Sequence, residues 1–168
     1  MTRARDVSTP TALVLISSTT VGTSVTSVTV TNAFSATYEN YLVLFNGGTN
    51  TIQTALAVTL GTSVASYNGI LSYGSFGTVG TPASTGDSSA SAFTYAGGGD
   101  VNGIFLNATL LNPFLAKYTR INSSYQATNE SGFYTGIHKV ATSYTDLKIT
   151  STSGTMTGGT IRVYGYKN

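Results

Sequence analysis

Apolar and polar residues alternate along much of the chain, which is the pattern of strands that bury one face. Residues 55–60, for example, place Leu56, Val58 and Leu60 on one side of such a strand. Helical spacing of apolar residues is hard to find, and the many Gly, Thr and Val residues oppose a helix. The chain is therefore predicted to be all-β.

Nine segments carry the strand pattern, and turn residues separate them. Residues 40–45 are apolar on both faces, which is typical of a central strand. Glycine clusters at 46–48, 97–100 and 153–159 indicate turns, because glycine takes positive φ without strain. The predicted strands are 12–17, 24–32, 40–45, 55–60, 103–106, 118–125, 132–140, 146–151 and 159–166. Short strands joined by loops in this way predict an antiparallel, jelly-roll-like β-sandwich.

Two regions lack this pattern. Residues 1–11 are polar and basic, so they are predicted to form a short extended N-terminal arm on a single sandwich domain at 12–168. Residues 73–103 are rich in Gly, Ser and Thr, and long segments with little periodicity are usually functional or mobile. An ordinary surface excursion fits this composition equally well. The candidates for an outward binding loop are its aromatic residues, Tyr73, Phe76, Phe93 and Tyr95.

A short motif occurs twice, at 38–43 and at 144–149. Each copy has a tyrosine, one further residue, Asn40 or Asp146, and then an apolar strand. This order predicts a tight turn capped by the Asn or Asp side chain, with the tyrosine packed at the corner.

Charged residues are scarce. They make up 8% of the 168 residues, against roughly 25% in a typical soluble domain. The formal net charge of +2 provides no basic stripe for nucleic acid. The apolar run at 12–16 is far shorter than the ~20 residues that span a membrane, and Asp6 interrupts any signal-peptide pattern. We therefore expect neither nucleic acid nor a membrane as a partner, and synthesis in the cytoplasm without a signal peptide.

Groups that could carry chemistry are few. The chain has no cysteine, which excludes disulfides, thiolate metal sites and thiol catalysis. The single histidine, His138, has no nucleophile-elbow serine to serve and cannot make a standard zinc set alone. Glycoside cleavage uses two carboxylates, which could come from Asp6, Glu39, Asp87, Asp100, Glu130 and Asp146. We expect no enzyme, metal or cofactor, and glycan cleavage stays open as the less favoured reading.

The chain contains eleven tyrosines and seven phenylalanines but no tryptophan. Tyrosine beyond the needs of a core suits polar contact surfaces, such as an interface with sister subunits or a sugar-coated host surface. Tyrosine is also simply favoured in strands, and the two explanations weigh equally.

Four segments carry a resemblance. The start reads MTRARDVST followed by LVLI, the first corner reads FSATYENY, Asn112-Pro113 precedes Lys117, and the end reads YTDL and then SGTMTGGTIRVYGYK. Together they resemble small virion surface proteins of tailed phages, including fibre and head-surface domains. The resemblance implies a jelly-roll-like sandwich, commonly a homotrimer, displayed on the tail or capsid. The chain has no heptads and no shaft repeat, so we expect a compact knob held by its arm.

The arm offers a means of attachment to other virion proteins. Arg3 and Arg5 can make charge-assisted hydrogen bonds to an acidic capsid or tail surface. The apolar segment with Leu13 and Leu15 can add as a strand to the edge of a partner sheet.

The sequence therefore predicts a fibre or knob protein on the virion surface that contacts the host, with a surface glycan as one candidate partner. The alternative is a capsid decoration protein that clamps neighbouring capsid subunits. A glycan-cleaving spike enzyme is the third reading.

Overall fold

The structure is a computed structural model that describes residues 13–77 and 82–167. All regular secondary structure in these two ranges is β-strand, which confirms the all-β prediction. None of the described residues forms a helix that is long and apolar enough to cross a membrane. The strands are β1 Leu13–Thr20, β2 Ser27–Val30, β3 Asn40–Asn46, β4 Thr49–Asn50, β5 Thr54–Leu60, β6 Tyr67–Ser75, β7 Pro82–Ala90, β8 Phe93–Asp100, β9 Gly103–Leu111, β10 Thr119–Ala127, β11 Glu130–His138, β12 Leu147–Ser151, β13 Met156–Thr157 and β14 Thr160–Tyr166.

The strands pair antiparallel and form two layers that share β9, which confirms the predicted antiparallel β-sandwich. The larger layer has the order β1-β14-β3-β9-β10-β11-β6-β7, and the smaller has β2-β12-β5-β8-β9. Residues 107–111 of β9 pair with β10, whereas residues 103–106 pair with β8. The short strands β4 and β13 form a separate pair.

The two layers diverge from β9 and meet again where β8 lies across β10. Gly98 of β8 lies so close to the backbone of β10 that an added Cβ would overlap the carbonyl oxygen of Gln126. Only glycine leaves room for this approach, and Gly97 beside it is equally confined by Phe105. The prediction of a turn at 97–100 is therefore wrong at its glycines, which are buried strand residues, and the chain reverses only after Asp100.

The core lies between the layers and follows the alternation of the strands. Leu56, Val58 and Leu60 are all buried, as the period-two pattern of β5 predicts. Residues 40–46 form β3, which pairs on one edge with β14 and on the other with β9, so its predicted central place is confirmed. Burial of each such aliphatic side chain stabilises the fold by about 1.5–3 kcal/mol.

The repeated tyrosine motif forms two corners that touch. The amide of Phe34, in the segment before β3, donates to the carbonyl of Thr145 before β12 at 2.9 Å. Asp146 accepts a 2.9 Å hydrogen bond from the amide of Asn32, which is distant along the chain. Its carboxylate therefore joins the two corners, whereas the sequence predicts a cap of its own tight turn. Tyr41 fixes the first corner, because its hydroxyl accepts from the amide of Ser35 at 2.8 Å and donates to the carbonyl of the same residue at 2.7 Å.

Three strands lie where the sequence predicts none. Strands β6, β7 and β8 occupy most of residues 67–100, so the predicted loop at 73–103 is wrong over most of its length. Its Gly, Ser and Thr residues have low intrinsic strand preference or short side chains, and their strand conformation comes from pairing with β11, β5 and β9.

We expect Gly98→Ala to lower the free energy of unfolding by about 1–3 kcal/mol, because the added methyl group must displace backbone rather than a mobile side chain. Gly74→Ala is the matched control, since no atom lies within 4 Å of a Cβ at Gly74 in β6. Urea unfolding followed by circular dichroism measures both variants. Equal stability of the two would contradict the described approach of β8 to β10.

Candidate functional site

The outer face of the larger layer carries a shallow groove of about 500 Å³. We call it the β6–β11 groove. Strands β6, β10 and β11 form its floor, and the edge strand β7 closes one side. Its lining residues are Asn68, Gly69, Ile70, Asp87, Arg120, Thr135, Gly136 and Ile137.

The register of β6 against β11 places these side chains. Gly69 lies opposite Gly136, and the residues on either side pair as Ile70 with Thr135 and Asn68 with Ile137. Tyr67 and Leu71 of β6 are buried, so the even-numbered residues between and beside them lie on the outer face. The glycine pair faces inward, where an added Cβ at Gly69 would overlap the hydroxyl of Tyr134.

Large apolar side chains stand out from this face. Phe133 of β11 is 75% exposed and Ile70 of β6 is 58% exposed. Phe133 pairs with Ser72, two residues beyond Ile70 along the same strand, so the two apolar side chains are diagonal neighbours on one surface. Neighbouring apolar side chains on an exposed face make this surface a candidate for contact with a partner.

Arg120 contributes the positive charge of the groove. It is exposed on β10, and its two cross-strand neighbours are Leu111 of β9 and Ile137 of β11. Neither neighbour has a side chain that can accept a hydrogen bond. The guanidinium, a rigid fork of five donors, therefore lies between apolar side chains at one end of the groove.

Asp87 is the carboxylate of the described lining, and its contacts hold strands together. Its Oδ2 accepts a 2.5 Å hydrogen bond from the Tyr134 hydroxyl of β11 and a 2.9 Å bond from the Thr94 amide of β8. Tyr134 is buried, and this burial, together with its bond to the Asp87 carboxylate, raises the pKa of the phenol. Asp87 thus joins β7 to both layers.

His138 lies fully buried at the end of β11. Its Nε2 lies 2.7 Å from the Tyr144 hydroxyl and 3.2 Å from the Ser63 hydroxyl, and its ring stacks on Tyr67 with centroids 4.1 Å apart. Burial lowers the pKa of His138, and the carbonyl of Ser66 opposes that shift. The cluster is packed like a core group.

This contact between a serine and a histidine does not amount to a catalytic triad. A triad also needs a carboxylate that orients the other ring nitrogen. No carboxylate bonds to His138 among the residues the structure describes. The histidine is inaccessible to a substrate in this conformation, because its side chain is fully buried.

Asp100 is engaged in the turn between β8 and β9. Asp100 accepts hydrogen bonds from the amides of Asn102 at 2.6 Å and Gly103 at 3.2 Å, and the hydroxyl of Thr128 donates to its other oxygen. The Thr128 bond is the main cause that lowers the pKa of Asp100, with the turn amides adding to it. Within residues 13–77 and 82–167, no three His, Asp or Glu side chains come close enough to hold a metal ion.

The four aromatic residues predicted for an outward loop do not lie together. Phe93 is fully buried against Tyr67, with ring centroids 4.8 Å apart, so its assignment to an outward loop is wrong. Strand β8 places it between the layers, where its side chain fills the core. Tyr95 and Tyr73 are half-buried and pack on the core, whereas Phe76 is 58% exposed just after β6.

Of the four residues predicted for attachment to a partner, two lie within the described structure. Arg3 and Arg5 lie outside the described residues. Leu13 and Leu15 belong to β1, where they pair with Tyr166 and Tyr164 of β14. The segment therefore adds to a sheet of its own chain rather than to a partner's sheet, because β14 offers it an unpaired edge. The other edge of β1 has no strand beside it among the described residues, and Leu15 is 53% exposed.

The groove itself does not follow from the sequence analysis. Its lining comes from two strand pairs, β6 with β7 and β10 with β11, that are distant from each other along the chain, and four of its residues lie on β6 and β7, which were not predicted. One signal could have revealed β6, since Tyr67, Leu71 and Tyr73 share the odd-numbered positions of a strand.

Comparison of the chain with protein-family models, with curated proteins and with solved structures finds no match.

We expect the free energy of unfolding to fall as the pH drops below about 6.5. The folded state lowers the pKa of His138. Between the folded and the unfolded pKa, the unfolded chain therefore binds a proton at this residue and the folded chain does not. Stability is therefore complete above the unfolded pKa and declines toward the folded pKa. His138→Gln, which keeps a polar partner for Tyr144, should lose this part of the decline. Urea unfolding above and below that pH, down to about pH 5, measures it, and parallel pH profiles of the two proteins would contradict the assignment.

Proposed function

We propose that this chain is a non-enzymatic β-sandwich displayed on the surface of a tailed-phage particle, where it serves as a fibre or knob protein that contacts the host. The observation that carries the contact role is the β6–β11 groove with the exposed Phe133 and Ile70 beside it. The resemblance of both ends of the chain to virion surface proteins supports the place of display.

The chemistry of the outer face suits repeated weak contacts. Its polar side chains are mainly Asn, Ser and Thr, which bond to polar partners without a large desolvation cost. A single shallow groove of this kind binds weakly. Several copies on one particle raise the avidity by bringing the second and later contacts into a high effective concentration.

The open edge of β1 supports self-association or attachment to a neighbouring protein. Edge strands of soluble proteins are usually guarded by charges, proline or bulges. The apolar first half of β1 carries no charge, although it has an irregularity between Leu15 and Ser17. We propose that this edge is covered in a homo-oligomer, which is a trimer if the phage resemblance holds.

The same edge favours a second candidate, a capsid decoration protein. Such a protein clamps neighbouring capsid subunits, and an apolar edge next to the predicted arm at 1–11 suits that contact. Glycan cleavage draws less support, because it uses two carboxylates and the described lining of the groove contributes Asp87 alone.

Immunogold labelling of intact particles, viewed by electron microscopy, tests the proposal. We expect label at the tail tip or on projecting fibres. Label spread evenly over the head would replace the fibre role with the decoration role. Absence of label from intact particles that contain the chain would overturn the proposal that it is displayed on the surface.

Deletion of residues 1–11 tests attachment through the arm. We expect the shortened chain to fold, because the described sandwich begins at Leu13, and to be lost from particles. Circular dichroism measures folding and quantitative mass spectrometry of purified particles measures incorporation. Substitution of Arg3 and Arg5 by glutamine in the full chain separates their charge from the rest of the arm. Normal incorporation of the shortened chain would rule the arm out.

A further inference from the structure

The β6–β11 groove combines an apolar floor with a guanidinium at one end. Ile70 and Ile137 lie on its outer face, and Arg120 lies across from Ile137 on β10. Such an arrangement matches a ligand that has an apolar face and a carboxylate, because the arginine fork binds both oxygens of a carboxylate at once.

Further cations lie at the same end of the sheet. Thr119 pairs with His138 at the junction of β10 and β11, so Lys117 and Lys139 occupy this end with Arg120. All three are exposed, and they are three of the eight Lys and Arg residues in the chain. In a chain with so few charges, this group gives one end of the groove a positive field that attracts anions.

The polar groups along the groove favour a ligand with hydroxyl groups. Thr135 lies opposite Ile70 on this face. The side chain of Asn68, opposite Ile137, is already engaged, because its Nδ2 donates to the carbonyl of Ser66 at 3.3 Å and its Oδ1 accepts from the amide of Ser89 at 3.1 Å. The Thr135 hydroxyl donates to Oδ1 of Asn122 at 3.1 Å, which leaves the amide hydrogens of Asn122 as donors and the Thr135 oxygen as an acceptor. The C–H face of a sugar ring packs on aliphatic side chains while its hydroxyls bond to such groups.

The carboxylate of Asp87 does not oppose an anion at the other end. Asp87 belongs to the edge strand β7 and is opposite Gly69, whereas Arg120 is two strands away from β6 on β10. Its carboxylate is directed between the layers, where Oδ2 accepts from Tyr134 and from the amide of Thr94.

We propose that the β6–β11 groove binds an acidic saccharide, with the sugar carboxylate on Arg120 and the ring over Ile70 and Ile137. The inference rests on the proposed contact with the host, and it adds the chemical class of the ligand. An aliphatic carboxylate is less suited, since it has no hydroxyl groups to meet the amide hydrogens of Asn122 and the oxygen of Thr135.

The test uses the full chain with a short oligogalacturonate as the acidic probe. Its methyl ester, which has the same rings without the charge, is the neutral control, and octanoate is the aliphatic carboxylate. Amide chemical shifts in two-dimensional NMR locate binding, and titration calorimetry measures the affinity. We expect saturable binding of the oligogalacturonate, shifts concentrated on β6, β10 and β11, and weaker binding of the ester.

Arg120→Met should weaken binding of the acidic probe by about tenfold or more, since it removes a hydrogen bond between charged groups. Arg120→Lys keeps the charge but loses the two-pronged hydrogen bonding of the guanidinium. Its affinity for the acidic probe should lie between those of the unmodified protein and Arg120→Met. Arg162→Met is the matched control, because Arg162 lies on β14 of the same layer, outside the groove. It should bind like the unmodified protein.

Several results would overturn the proposal. These are no binding of the oligogalacturonate, equal binding of its ester, preferential binding of octanoate, or an equal loss in the Arg120 and Arg162 variants. None of these results affects the labelling of particles. The binding experiments therefore test the ligand of the groove, and the labelling separately tests whether the chain is displayed on the virion surface.

Discussion

Strand β9 is the constraint on which the rest of the structure depends. It hydrogen-bonds to β3 along one edge and divides the other between β10 and β8. The two layers therefore cannot slide apart without breaking pairs on the same strand. The approach of β8 to β10 follows from this division, and it requires the missing side chain at Gly98. A run of glycines whose composition is typical of a turn thus lies at a close approach between the two layers.

The core that this division encloses is rich in hydroxyl groups as well as apolar side chains. Tyr67 is fully buried, and its hydroxyl accepts from the amide of Leu60 at 2.9 Å. Tyr134 donates to Asp87, and Tyr144 bonds to His138. Each phenol buries a large ring and still satisfies its polar end. The tyrosine content therefore reflects the interior first, and fewer tyrosines remain for outward contact than the composition suggests.

The scarcity of charge gives the few charged groups distinct roles. Asp87, Asp100 and Asp146 all accept hydrogen bonds from backbone amides or hydroxyls, so these acids fix turns and strand contacts. Arg120 instead lies exposed between apolar neighbours on an open face. A charge in that position adds little to folding, because exposed ion pairs and isolated surface charges contribute little. It makes one end of the outer face positive, which the surrounding uncharged Asn, Ser and Thr residues cannot do.

The amino-acid sequence by itself determined the strand character of the chain and the buried faces of β3 and β5. Alternation is a local property. The period of two within a single strand is enough to place Leu56, Val58 and Leu60 on one face. The hydrogen bond of Asp146 to the amide of Asn32 is not local, since these residues are far apart along the chain. The sequence did not determine strands β6, β7 and β8, the burial of Phe93, or the groove. Glycine and serine adopt strand conformation when neighbouring strands pair with them. Arg120, Ile70 and Asp87 line one groove only through the order of strands in the sheet. Tertiary structure decided these features because they depend on contacts between residues that are far apart along the chain.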